Sequence, residues 1–171
     1  MDNFLELCQS RRSIRKYTSE AVAEEDIEYI LRCALMSPSS KRTNPWEFVV
    51  VKDEAVLRQM AGCKTYGSQM FATATAAIVV VMDPSLTDTW QCDGAIAAQN
   101  ILLAAEDRGL GACWCHIYQR DTSEQLVRSL VNVPEEKNIL CVISLGHKDE
   151  ERKQYDLDKL LYNKIHNERY E

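Results

Sequence analysis

Apolar positions along the chain alternate between repeats of about 3.6 and about 2 residues, marking helices and strands in turn. Residues 3–9 predict a short amphipathic helix with Phe4, Leu5 and Leu7 inward. Residues 19–36 predict a second helix, in which Ile27, Ile30, Leu31 and Ala34 recur at helical spacing. Glu20, Glu24, Glu25 and Asp26 crowd its first turns, where the macrodipole favours negative charge, and Pro38 ends it. Phe48-Val49-Val50-Val51 predicts a buried strand over 47–51, and a helix follows over 54–63. Residues 75–82 are almost unbroken in apolar character, as in the middle of a covered sheet. Residues 93–108 predict a helix with Ala, Ile and Leu on nearly every face, buried in a large core or at a subunit interface. Gly109 and Gly111 break it, and Gly109 can supply a left-handed cap. A strand over 112–118, a short helix over 123–130 that Pro134 limits, and a last strand over 139–145 stopped by Gly146 complete the body. Residues 147–171 form a polar tail with anchors at Tyr155, Leu157, Leu160, Leu161, Tyr162, Ile165 and Tyr170. Such a tail suits the surface of a partner subunit better than a core of its own. The alternation of strands and helices predicts one α/β or α+β domain with a central sheet.

The length of 171 residues fits a single domain with a sizeable core. Net charge is -6 and no long basic stripe occurs, which argues against nucleic acid as a main partner. The longest apolar stretch, 76–82, is far too short to cross a bilayer, and the first residues lack the pattern of a secretion signal. A cytoplasmic protein is expected, with its seven irregularly spaced cysteines held as thiols.

Against that acidic background Arg11-Arg12-Ser13-Ile14-Arg15 is a local concentration of positive charge, suited to an anion. Guanidinium forks match phosphate oxygens two hydrogen bonds at a time, and Ser13 adds a neutral donor. A second polar run, Ser37-Pro38-Ser39-Ser40-Lys41-Arg42-Thr43-Asn44-Pro45-Trp46, is dense in hydrogen-bonding groups and can clasp a flat heterocycle by its edge. Cys113-Trp114-Cys115-His116 invites a metal reading, but on a strand the two cysteines share one face and His116 points away. No second ligand pair exists, so no metal is expected. Gly109-Leu110-Gly111 lacks the third glycine and the ribose-binding acid of a dinucleotide fingerprint.

Taken in register, Arg11-Arg12-Ser13-Ile14-Arg15-Lys16-Tyr17, Ser37-Pro38-Ser39-Ser40, Asn44-Pro45-Trp46-Glu47-Phe48, the helix from Asp93 to Ala105, and Gly109-Leu110-Gly111-Ala112-Cys113-Trp114 resemble the flavin-dependent nitroreductase family, in its short single-domain form. The likeness covers almost the whole chain. It implies an α+β three-layer sandwich with a central mixed sheet, and an intertwined homodimer whose interface holds two FMN molecules. It implies ping-pong chemistry with NADH or NADPH as donor and nitroaromatic, quinone or similar electron-poor acceptors. By the same resemblance Arg11, Arg12, Ser13 and Arg15 hold the FMN phosphate, ribityl chain and pyrimidine edge. Pro38, Ser39 and Ser40 form the loop lent by the other subunit. Arg42 stands where the family has Asn, and Asn44 where it has Gln. Trp114, Cys115 and His116 fall where the family backs the ring and approaches N5. Arg152 or Lys153 is the tail cation that closes on the phosphate. Arg15, with Arg42 second, is the cation expected to stabilise reduced flavin.

Two further readings stay open at this point. His116 is either a packed or surface residue or a proton donor near N5. The chain as a whole is either an oxidoreductase or a non-enzymatic FMN-binding protein; a dehalogenating relative on the same scaffold would carry a lid insertion that this chain lacks. Trp46 and Trp90 are expected to be packing residues.

Overall fold

The computed structural model describes residues 4–170, so Asn3, at the start of the first predicted helix, lies outside the described residues. Its centre is a sheet of β1 (Trp46–Val51), β2 (Ala76–Met82), β3 (Gly111–His116) and β4 (Asn138–Gly146), in the spatial order β1-β2-β4-β3. Helices α1 (Phe4–Ser10), α2 (Glu24–Leu35), α3 (Glu54–Ala61), α4 (Trp90–Asp107) and α5 (Asp121–Val131) flank it. Along β2, Ala76, Ile78, Val80 and Met82 face α2 and α4, while Ala77, Val79 and Val81 face α3 and α5. Both faces of the sheet are therefore covered, which is why β2 and β4 read as continuous apolar runs. The result is the expected α+β arrangement of three layers.

The mixed character of the sheet is slight. All neighbouring strands pair antiparallel, and the parallel component is one isolated bridge between Ser13 and Ala112. After that bridge the chain leaves β3, and residues 16–18 pair instead with the stretch beyond β4, through Asp149 N–H to the Lys16 carbonyl and Thr18 N–H to the His147 carbonyl. A bulge interrupts the register between Val80 and Val81. It turns the consecutive residues Leu140 and Cys141 to the same face, and the Leu140 carbonyl accepts from both Ile117 and Tyr118.

Several boundaries differ from those the periodicity predicts. The second helix begins at Glu24 rather than 19, because Val22 must reach the core from an extended approach and Ala23 takes the β conformation at the cap. The helix predicted from 93 starts a turn earlier, where Trp90 is buried and meets Tyr118 edge-on at 4.7 Å. The third strand stops at His116, since Ile117 and Tyr118 bend to Leu140 and Gln119 adopts φ 57. The helix predicted from 54 to 63 ends at Ala61, and Asp53 caps it by accepting from the N–H groups of Ala55 and Val56. α4 ends as predicted: Gly109 sits at φ 73, and the bonds Gly109 N–H to Glu106 and Leu110 N–H to Ala105 close a Schellman turn. Trp46 and Trp90 are both packing residues at 6% exposure.

Lys137 ties the start of β4 to both neighbouring chain segments, reaching Asp83 at 2.7 Å and Glu47 at 2.8 Å. Its hydrogen bond, with those from Ser85, lowers the Asp83 carboxyl to about 2. A carboxylate depressed in the folded state stabilises it fully above the unfolded value of about 3.9, and that contribution is lost as pH falls towards 2. Urea unfolding of Lys137→Met should therefore show a stability deficit against wild type that is constant from neutral pH to about 5, narrows below 4 and nearly closes at 2. A deficit of undiminished size at pH 2 would contradict the pairing.

Candidate functional site

The first arginine block is held by two glycines. A Cβ on Gly111 would lie 2.7 Å from the Ile14 Cγ2, and one on Gly146 would lie 2.9 Å from the Tyr17 ring. Only bare backbone lets the block press this closely on the ends of β3 and β4. Ile14 and Tyr17 are buried at 2% and 4%, and the Tyr17 hydroxyl meets the Ile14 carbonyl at 2.5 Å and the Ser144 hydroxyl at 2.7 Å. Burial pushes that phenol well above its ordinary value, so it stays protonated. With Ile14 and Tyr17 anchored, Arg11, Arg12, Ser13 and Arg15 are set along the outer edge of β3. Burial raises the Cys113 thiol there, against Arg15, a hydrogen bond from Ser13, and Arg11.

Beside the block lies an open cleft of about 560 Å³ lined by Arg12, Lys148, Glu150 and Arg152 among others. The Arg12 guanidinium donates to the Lys153 carbonyl and lies 4.5 Å over the Tyr155 ring. Glu150 sits among these cations: it accepts from the Arg15 N–H at 2.5 Å and pairs with Arg152 at 2.6 Å. Burial alone would raise its carboxyl, but the Arg15 and Lys16 N–H groups and Arg152 outweigh burial and hold it below the usual range. The structure thus brings together Arg11, Arg12, Ser13, Arg15, Arg152 and the Lys153 backbone in one place.

At the other end of β3, Trp114 and His116 share a face, with rings nearly parallel and centroids 6.5 Å apart. Cys113 and Cys115 point to the opposite face, into the core under α3 and α5. The side chain of Cys115 is 1% exposed and faces away from Trp114 and His116. Among the described residues no group of three or more His, Cys, Asp or Glu is placed to hold a metal ion. Lys64, just past α3, donates from Nζ to the His116 carbonyl. Loss of solvent, then Lys64 and Arg120, lower the His116 imidazole below its ordinary value.

The second polar run lies far from the first. Ser40 and Arg42 fall in a short 3-10 turn (Ser40–Arg42) before β1, and Pro38 is exposed ahead of it. Lys41, Arg42 and Asn44 all take positive φ (51, 59 and 46), a conformation non-glycine residues adopt at some cost. The loop is held by hydrogen bonds of Ser39 Oγ with Asn44 Oδ1 at 2.9 Å and from the Asn44 N–H at 3.0 Å. It is also held by the Ser40 N–H to Asp93 Oδ1 at 3.1 Å, while the buried Asp93 Oδ2 has no hydrogen-bond partner among the described residues. β1 and β3 are the outermost strands, about 14 Å apart at three steps of strand spacing. Along the strands, the loop sits level with Met82 and Asn138, whereas the arginine block sits level with Gly146, about 27 Å away. The two runs occupy diagonally opposite corners of the sheet.

The sequence profile described as the nitroreductase family matches residues 8–66 and 63–147. The chain belongs to the nitroreductase family. Its sequence is 38% identical to a protein of Archaeoglobus fulgidus named "Putative NADH dehydrogenase/NAD(P)H nitroreductase", over 99% of this chain and all of that one. The solved FMN-dependent nitroreductase of Clostridium difficile R20291 superposes with a TM-score of 0.95 at 36% identity, covering 98% of this chain and 100% of that chain. The NADPH:FMN oxidoreductase of Vibrio harveyi, solved in complex with NAD+, superposes at 0.82 with 26% identity, over 98% of this chain and 77% of the other.

Four residues of this nitroreductase family member escaped the sequence reading. Lys64, Lys148 and Glu150 are single charges in polar stretches, and nothing in their spacing separates them from a solvated surface. Asp93 had a signal, since an acid in the first turn of a helix otherwise built of Ala, Ile and Leu is an oddity, but it reads equally as a macrodipole partner. The contact with Lys64 carries a direct prediction. Removing a nearby cation favours protonation, so in Lys64→Met the His116 titration followed by NMR should move up towards about 6.5. An unmoved midpoint would contradict the placement of Lys64.

Proposed function

We propose that the chain is an FMN-dependent NAD(P)H oxidoreductase, working as a homodimer and reducing nitroaromatic, quinone or similar electron-poor acceptors in a ping-pong cycle. The observation that carries this reading is the guanidinium cluster along the outer edge of β3, opening on a cleft where Arg12, Lys148 and Arg152 stand among Asp149, Glu150 and Glu151. Its donor set fits the group. Arg11, Arg12 and Arg152 offer forks for a phosphate, Ser13 a hydroxyl, and Lys148 a further charge in the same cleft. Glu150 holds the Arg15 N–H and Arg152, so a phosphate would take these donors by displacing it. FMN, when bound, supplies the hydride chemistry, accepting from nicotinamide and passing to the acceptor.

The protein's own residues bind and orient. Arg15 is the cation for the pyrimidine edge, and its guanidinium is steadied by the Ser13 carbonyl at 3.4 Å. Trp114 and His116 form the wall behind the ring. Cys115 contributes its backbone there, since its side chain is in the core. With a depressed imidazole, His116 is neutral at pH 7 and can hold a proton or a water at the wall without adding charge.

Pro38, Ser39, Ser40, Arg42 and Asn44 stand at the far corner of the same sheet, so they serve a flavin held by a second copy. An exposed apolar groove of about 360 Å³ between α1, α2 and α4, lined by Phe4, Leu7, Tyr29, Met36 and Leu103, supports the pairing. So does the tail, where Leu161 and Ile165 are 64% and 66% exposed. Residues 147–155 of the tail pack on their own chain, through Thr18 N–H to the His147 carbonyl, Asp149 N–H to the Lys16 carbonyl and Tyr155 N–H to the Gln9 carbonyl, so in this single domain it is the stretch beyond them that we place on the partner. Among the described residues no helix is long and apolar enough to cross a membrane. The cytoplasm, where the seven free cysteines stay reduced, is where we place the reaction.

Purified protein should be yellow, release FMN on denaturation, and oxidise NADH or NADPH with a quinone acceptor, which separates catalysis from flavin storage. Arg15→Ala, measured by flavin titration and stopped flow, should weaken FMN binding about 10- to 100-fold through loss of a charged hydrogen bond, and slow flavin reduction. Unchanged affinity together with an unchanged rate would remove Arg15 from the site.

A further inference from the structure

The arginine cleft contains its own rival for a bound anion. Residues 16–18 and 147–149 pair antiparallel, by Thr18 N–H to the His147 carbonyl and Asp149 N–H to the Lys16 carbonyl, each at 3.0 Å, with a bridge between Tyr17 and Lys148. Where this pairing runs out, the Arg15 N–H meets Glu150 Oε1 at 2.5 Å rather than a backbone carbonyl. The other oxygen, Oε2, pairs with Arg152 at 2.6 Å. The Glu150 side chain is 13% exposed and that of Arg152 46%, so the acid is the more deeply set of the two. The remaining cations of the cleft are engaged elsewhere: Lys148 reaches Glu106 on α4 at 2.8 Å, and Arg12 donates to the Lys153 carbonyl. A backbone N–H and a guanidinium converging on two anionic oxygens is an arrangement that also holds phosphate.

We propose that Glu150 is a displaceable occupant of the phosphate seat, a specificity-determining residue that sets how strongly the protein holds a phosphorylated flavin. Without cofactor, its carboxylate keeps the Arg15 N–H and the Arg152 guanidinium converged. A phosphate monoester takes both donors and turns the carboxylate out, so binding exchanges one anion for another. This rests on the reading of the cleft as a phosphate seat.

The surroundings suit an exchange. Glu150 stands in the stretch 149–156, which belongs to no helix or strand, so turning its side chain out breaks no ladder bond. Among the lining residues Asp149, Glu150 and Glu151 balance Arg12, Lys148 and Arg152, and removing one acid leaves a net positive lining. Burial works against the Glu150 charge, yet the Arg15 and Lys16 N–H groups and Arg152 hold the carboxyl below the usual range. A phosphate must win these donors from an acid that is already well served by them. A flavin without phosphate does not enter that contest, so Glu150 narrows the margin between FMN and riboflavin. A Glu150 that only braced the fold would act in the opposite sense, since its loss would loosen the donors and weaken FMN binding.

Fluorescence titration of the flavin-free protein with FMN and with riboflavin is the test. Glu150→Gln should bind FMN about tenfold more tightly than wild type, through loss of a charged competitor, and riboflavin with affinity unchanged within about twofold. In wild type, carbon-13 NMR of the Glu150 carboxyl should show its titration move upward when FMN is added, because it loses Arg152 and gains a phosphate beside Asp149 and Glu151. Equal or weaker FMN binding by Glu150→Gln, or a Glu150 titration that FMN leaves in place, overturns the inference. If the protein binds no flavin, inorganic phosphate followed by phosphorus NMR separates the two claims. Tighter phosphate binding by Glu150→Gln then keeps the displaceable acid and loses the proposed cofactor, and equal binding loses both.

Discussion

The close contact of Ile14 and Tyr17 with the bare backbone of Gly111 and Gly146 is the constraint on which the rest of this structure depends. Without it the arginine block is a basic turn on an acidic surface. With it, four hydrogen-bonding side chains are fixed beside β3, and the stretch after β4 is brought in to supply Lys148, Glu150 and Arg152. The buried Tyr17–Ser144 hydrogen bond locks the same junction from beneath. Packing thus positions charge, through two apolar residues that carry none themselves.

The antiparallel order β1-β2-β4-β3 has a consequence for function that no single side chain reveals. It sends the arginine block and the serine-rich loop to opposite corners. Each is built with care: the loop accepts three positive φ values and a buried carboxylate oxygen without a partner, and the block tolerates a carboxylate among arginines. Local costs of this kind are offset elsewhere in the fold and in general gather at functional sites. On the proposed reading, two half-sites on one chain would become whole sites when two copies meet, and the exposed apolar groove of α1, α2 and α4 is surface that such a pairing would cover.

Much of this was legible in the sequence. The unbroken apolar run of β2 announced a sheet covered on both faces, and Gly109 announced the end of α4. The five runs between Arg11 and Trp114, read in register, resemble the nitroreductase family in the sequence alone. What was not legible has physical reasons. Val22 pulls the start of α2 later than its acidic residues suggest, because reaching the core outweighs the macrodipole. The bulge at Leu140 leaves no mark in the apolar run 139–143, where either face accepts either residue. The parallel pairing beside β3 shrinks to one bridge because residues 16–18 find partners elsewhere. Lys64 and Glu150 gain their meaning from contacts across 52 and 135 residues, which spacing along the chain does not encode.

The central claim is that one site is shared between two copies, and complementation tests it. One variant would carry Arg12→Ala and Arg15→Ala in the block, the other Ser39→Trp in the loop, each inactive by itself. Refolded together in equal amounts, half the dimers are mixed and each holds one intact site, so about a quarter of wild-type NAD(P)H oxidation should return. Mixed dimers that form but recover no activity would show that the two blocks do not meet across an interface.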